Sequence, residues 1–200
     1  MYTREQIEKA VKSKKYLWFN SNKDYDVNIV GIRNSNTGNK VTNVFDDFLT
    51  ISFRIGNEWQ FYCWNATTEP GKKGMLEGKA KGGVARLVPS QYRGVWEIDK
   101  HQGKYDALCQ KGPVKVYRDN NMDDEYDLIE ENVHEGIFGI NIHKAGKFVN
   151  GSTQIDKWSA GCQVFSKESD FNEFMDVCRK ARDIWGNSFT YTLIESNDIS

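Results

Sequence analysis

Proline is scarce, at 3 in 200 residues, and no low-complexity run or internal repeat interrupts the chain. That excludes a collagen-like or Pro-rich disordered protein. No stretch approaches the roughly 18 apolar residues of a membrane helix, so no span is expected. The opening MYTREQIEKAVKSKKYLWF is charged throughout and has none of the apolar h-region of a secretory signal. Charges nearly cancel, with 27 Lys and Arg against 28 Asp and Glu. No basic stripe stands out, so nucleic acid is not an expected partner. Cysteine is limited to Cys63, Cys109, Cys162 and Cys178, with no C-x-x-C pair among them. Zinc-ribbon and thioredoxin readings are thereby excluded. A chain of this length does not need disulfides for stability, and the thiols are expected to be mostly free.

What remains is a globular composition, 38% hydrophobic and 13% aromatic, enough for a sizeable core. The expected class is α+β and β-rich, one domain over 1–200. Thr3-Arg4-Glu5-Gln6 has the form of a capping box, with apolar Ile7, Ala10, Val11 and Leu17 after it, predicting a helix over 4–16. Strand-like runs cover 27–32, 48–55 and 58–64, the last two joined by the turn signal Gly56-Asn57. Residues 65–83, rich in Gly and Lys, read as a long loop. Shorter strands are predicted at 95–99, 114–118 and 137–143. The clearest helix lies over 166–185, where Phe171, Phe174, Met175, Cys178, Ala181, Ile184 and Trp185 recur at helical spacing and Gly186 supplies a stop. A strand over 189–195 closes the chain. Trp59, Phe61, Trp64 and Trp96 read as core, and His101 and His134 as solvated surface residues.

The stretch Lys157–Phe165, KWSAGCQVF, sets a cysteine behind small residues. His143, nineteen positions earlier, ends an alternating run in which Phe138, Ile140 and Ile142 share one face and Gly139, Asn141 and His143 the other. A cysteine nucleophile needs a base within reach, backbone N–H groups for an oxyanion and an open approach. A strand-end histidine and a Gly-flanked cysteine can supply all three. An imidazole beside the thiol can lower its pKa enough to give thiolate at neutral pH. The alternative is that Cys162 is a small buried hydrophobe, as most free cysteines are.

These residues resemble the catalytic domain of the L,D-transpeptidase (YkuD-like) family. That family has a histidine, a loop of about fifteen residues, then Ser or Thr, a small step and Gly-Cys. Here the sequence reads His143, residues 144–158, then Ser159-Ala160-Gly161-Cys162. Ile140–His143 is similar to the strand that delivers the family's histidine, and 58–71 to the strand leading into its Thr/Pro/Gly substrate loop. The resemblance covers roughly 48–165. It departs at Ala160, where the family usually has His, and at Val164, where it often has Arg.

The resemblance implies a YkuD-like mixed β-sheet or sandwich and acyl transfer on peptidoglycan stem peptides. Cys162 would attack the carbonyl after a diaminopimelate or Lys residue to give a thioester. His143 would move the proton, and backbone N–H groups at Gly161 and Cys162, in the loop opened by Ser159, would hold the oxyanion. The acceptor would be a stem amine or water. Trp158 would line the substrate groove. A backbone carbonyl would orient His143, with Asp156 as the sequence-level alternative. No cofactor is required. The lack of a secretory signal fits a phage or prophage protein that is made in the cytoplasm and reaches the wall by lysis or in a virion, which favours hydrolysis. The competing reading is a catalytically idle wall-binding or virion module.

One more motif bears on cofactors. Asp119, Asn121 and Asp123 occupy alternating positions of a calcium-loop pattern, with Asp127 ninth and Glu130 twelfth. The sixth position is Asp124 in place of glycine. A structural calcium is one reading, and a solvated acidic turn the other. Lys72, Lys73, Lys79 and Lys81 are read as a solvated loop or as a contact for anionic wall polymer.

Overall fold

The structure is a computed structural model that describes residues 2–77, 82–146 and 150–199. Its strands wrap into a barrel. Helix α1 (Arg4–Ser13) precedes β1 (Asn28–Arg33), β2 (Asp47–Ile55) and β3 (Glu58–Thr67). Then come a short helix α2 (Lys72–Glu77), β4 (Val84–Leu87), β5 (Gln91–His101), β6 (Tyr105–Gln110), β7 (Val114–Asp119) and β8 (Val133–Gly136). The last third holds β9 (Ile142–Lys144), β10 (Gln163–Phe165), α3 (Glu168–Trp185) and β11 (Phe189–Glu195). Eight strands close in the order β1-β11-β5-β6-β9-β10-β3-β2, and β4-β7-β8 form a separate small sheet. Pairings β1–β11 and β9–β10 are parallel. The α+β, β-rich class holds, but the sheet closes on itself and does not form a sandwich. Among the described residues no helix is long and apolar enough to cross a membrane.

Local chemistry explains the best-placed elements. Thr3 and Gln6 form the reciprocal capping box at the start of α1. The helix ends at Ser13, short of residue 16, because Lys15 takes a positive φ of 63°. The apolar stripe Ile7, Ala10 and Val11 packs on Val30, Ile32 and Ile194; burying each large aliphatic side chain contributes about 1.5–3 kcal/mol. The other face of β1, through Ile29, joins the main core, which includes Leu49, Ile51, Trp96, Tyr191 and the apolar face of α3. Strand alternation thus splits β1 between two apolar layers, and all six of its residues are buried. Gly56, at φ 59°, makes the two-residue turn that sets Ile55 opposite Glu58. Of the four aromatics read as core, Trp64 and Trp96 are buried, whereas Trp59 and Phe61 are only half-buried. All four cysteines are free.

Three predicted elements are corrected. The run 137–143 is not one strand: only 142–144 pairs in the barrel, and Gly139 turns the chain at φ 74°. The Gln110 side chain takes the place of a ladder there, accepting from the Phe138 and Ile140 N–H groups at 3.1 and 2.9 Å. The 65–83 segment is not wholly loop. Strand β3 runs on to Thr67, 72–77 is helical and 84 begins β4. Lys79 and Lys81 lie outside the described residues. Helix α3 begins at Glu168, two residues after the predicted start.

Candidate active site

In the pleat of β9 and β10, Ile142 and Phe165 point into the main core. The alternate residues face the other way. His143 is in register with Val164 of β10, and Cys162 lies just before that strand, at its entry. Both line one cavity of about 740 Å³, together with His101, Tyr105, Trp158 and Lys144.

The cysteine sits on a stiff turn. Ser159 Oγ donates to the Cys162 carbonyl at 2.8 Å and accepts from the Gly161 N–H at 3.0 Å. The Ala160 carbonyl accepts from Ala85 of β4, and the Ser159 carbonyl from Gly71. From the core side, Gln163 Nε2 donates to the Gly161 carbonyl at 3.1 Å while its Oε1 accepts from Tyr191. These bonds brace the loop with no histidine at position 160, where Ala160 lines the cavity mouth. Gly161 has φ 140°, and a Cβ there would lie 2.1 Å from the Ala85 carbonyl oxygen. Gly161→Ala therefore combines backbone strain of about 1–3 kcal/mol with a backbone clash. Its melting temperature should drop by at least ~5 °C; a parent-like melt would contradict this account of the turn.

The oxyanion expectation needs correcting. The Gly161 N–H is spent on Ser159 Oγ. Among the described residues the Cys162 N–H has no acceptor, nor does the Ala160 N–H, so backbone donors remain at this turn.

His143 is buried, and its Nδ1 lies 2.8 Å from the Lys144 carbonyl. A carbonyl only accepts, so the proton is on Nδ1 and Nε2 carries the lone pair. Asp156 does not orient this ring; its carboxylate accepts from Asn43 Nδ2 at 2.8 Å. The Cys162 thiol donates to the Gly139 carbonyl at 3.3 Å and accepts from the Asn141 N–H at 3.4 Å. Among the described residues no hydrogen bond yet joins it to His143.

No family model matches the chain, and neither a curated protein nor a solved structure matches it.

Burial sets the protonation. It pushes the Cys162 thiol up to about 11 against a small opposing pull from the Asn141 N–H. It also pushes His143 down to about 3, with His101 adding to the shift. Both shifts favour the uncharged forms, a thiol and a neutral imidazole, in the resting site. The sign follows directly: a thiol pKa above its ordinary value means thiolate appears only as pH rises toward 11. Iodoacetamide labelling of Cys162 should therefore climb steadily through pH 8–10. A rate plateau below pH 7 would mean a preformed ion pair.

His101 is the residue that sequence reading missed. It is buried, not solvated, and its ring stacks on His143 with centroids 4.2 Å apart and planes at 22°. No sequence signal marks it, because its neighbour in space is 42 positions away. His134 is exposed, as expected. Val164 is buried against Phe45, Ala145 and Ile155, so it contributes packing and no charge.

The acidic loop is held by its own hydrogen bonds. Asn121 Nδ2 donates to Asp123 and Asp127 at 2.9 and 3.3 Å. Asp119 accepts from the Asp127 N–H, and burial raises its pKa. Glu130 opens a separate 3-10 turn. Among the described residues no three His, Cys, Asp or Glu side chains form a metal-holding group. The calcium expectation is not carried by this arrangement.

Proposed function

We propose that this chain is a Cys-His acyl-transfer enzyme with a YkuD-like arrangement, acting on peptidoglycan stem peptides. The observation that carries the reading is that His143 on β9 and Cys162, at the entry to the adjacent parallel strand β10, line one cavity. The fixed Nδ1–H tautomer adds to it, because it leaves Nε2 free to act as base. In the first step Nε2 takes the thiol proton as sulfur attacks the peptide carbonyl, forming the C–S bond. The C–N bond then breaks while the imidazolium returns its proton to the departing amine, leaving a thioester. A second amine or water attacks the thioester, gives its proton to Nε2, and sulfur leaves and is reprotonated. Site closure on substrate would bring base and thiol together, in keeping with the neutral resting pair. Lys104 and Lys157 at the cavity rim suit the carboxylates of stem peptides.

The second reading, an idle wall-binding or virion module, draws on the high thiol pKa and the engaged Gly161 N–H. Digestion of purified muropeptides followed by mass spectrometry decides between them. New tripeptide, cleaved crosslinks or exchanged termini support the enzyme. Unchanged muropeptides that nevertheless retain the protein in pull-down support the module.

A further inference from the structure

We infer that His101 is a positioning residue for His143: its neutral ring, protonated on Nε2, fixes the plane of the His143 imidazole and leaves His143 as the proton acceptor of the pair. Its purpose rests on the Cys-His reading above, but the protonation pattern does not.

The pattern follows from a chain of hydrogen bonds. The Gln110 backbone N–H donates to Asn141 Oδ1 at 2.9 Å, which orients that amide. Asn141 Nδ2 then faces His101 Nδ1 at 3.0 Å. An amide nitrogen only donates, so His101 Nδ1 must accept, and its proton is on Nε2. His143 carries the opposite tautomer, with Nδ1–H bonded to the Lys144 carbonyl. The two rings are thus stacked with opposite tautomers, each set by a partner anchored in the backbone. Protonating His101 on Nδ1 would break the Asn141 bond. Protonating His143 on Nε2 breaks no bond, so a proton released by Cys162 goes to His143 and not to His101.

Geometry supplies the second half of the role. The Lys144 carbonyl pins one edge of the His143 ring, and the parallel face of His101 blocks rotation out of plane. A rotated His143 would present Nδ1–H to the thiol, and a donor cannot act as base. The other charged and titratable groups around the pair are Lys104 and Tyr105 on the β5–β6 hairpin, Lys144 with its partner Glu168, Lys157 and Cys162. Each is present in all the variants below.

Long-range proton–nitrogen NMR on the full chain with nitrogen-15 histidine tests this directly, since it reads each ring's tautomer without any substrate. The parent should show His101 as Nε2–H and His143 as Nδ1–H from pH 6 to 8. His101→Phe, a flat ring with no proton to take, should keep the His143 tautomer and hold kcat on muropeptides within about threefold of the parent. His101→Ala, which removes the wall, should mix the His143 tautomers and lower kcat at least tenfold with KM within about twofold. A parent spectrum with His101 cationic or protonated on Nδ1 overturns the inference, as does an Ala variant whose His143 tautomer and kcat match the parent. Should the Ala variant fail to fold, the parent and Phe spectra decide alone. Absence of muropeptide turnover in the parent counts against the proposed function, while the tautomers are still read.

Discussion

Cys162→Ser should lower turnover on stem peptides by about three orders of magnitude or more, with the melting temperature moving by no more than a few degrees. The stability half rests on the partners of Sγ. The Gly139 carbonyl and Asn141 N–H that engage the thiol remain to engage a hydroxyl, so the substitution strands no buried polar group. The catalytic half rests on nucleophilicity, since a serine hydroxyl ionises far above any thiol. His143→Gln should match the loss, because the amide can still donate to the Lys144 carbonyl but presents no base to the thiol. The two residues act on one proton, so the double variant should be no slower than the slower single. Additive losses would separate their roles. A Cys162→Ser protein that keeps its specific activity would turn the assignment toward the binding module.

How far the chain discloses such a site depends on the range of the contacts that build it. Helix α1 and helix α3 were readable because capping and apolar periodicity are local, and Phe171, Phe174, Met175, Cys178 and Ala181 of α3 reach the core. Periodicity fails at the helix ends, where Ile184 is only half-buried and Trp185 and Leu17 are exposed, and it missed the buried Val177. That His143 and Cys162 come to one cavity follows the strand-end placement of one and the Gly-Cys turn of the other. The irregular path through Phe138 to Asn141 was not, because the alternation there is genuine while the hydrogen bonds come from the Gln110 side chain. Strand β10 is three residues long and owes its existence to β3 and β9 on either side. His101 looked solvated among Asp99, Lys100, Gln102 and Gly103, and only the folding of its hairpin against β9 buries it. The oxyanion assignment failed for a finer reason: Ser159 supplies an acceptor inside the turn, so one of the two expected N–H groups is already satisfied.

Trp96 links that core to the site, and its replacement should produce the largest stability loss in the chain. The side chain is fully buried on β5, with its faces and edges against Tyr92 and Tyr191 at centroid distances of 6.1 and 5.4 Å. Its Nε1–H donates to the Ile140 carbonyl at 2.7 Å. Trp96→Ala removes the ring, leaves a cavity and orphans that carbonyl, a combined cost of about 3–5 kcal/mol or more. For a domain of this size the melting temperature should fall by roughly 10–20 °C. Trp96→Phe separates packing from hydrogen bonding, since it keeps most of the apolar ring and loses only the donor. Ile140 immediately precedes Asn141, whose N–H holds Cys162 Sγ and whose amide holds His101. The Phe variant should therefore lose less stability than Ala, about 1–3 kcal/mol for the orphaned carbonyl, and lower kcat on muropeptides several-fold, as the segment carrying Asn141 loosens. Thermal melts and steady-state kinetics on both variants check the two halves. A Trp96→Ala shift below about 5 °C would contradict the packing argument, and a Phe variant with unchanged kcat would show that the Ile140 bond does not reach the site.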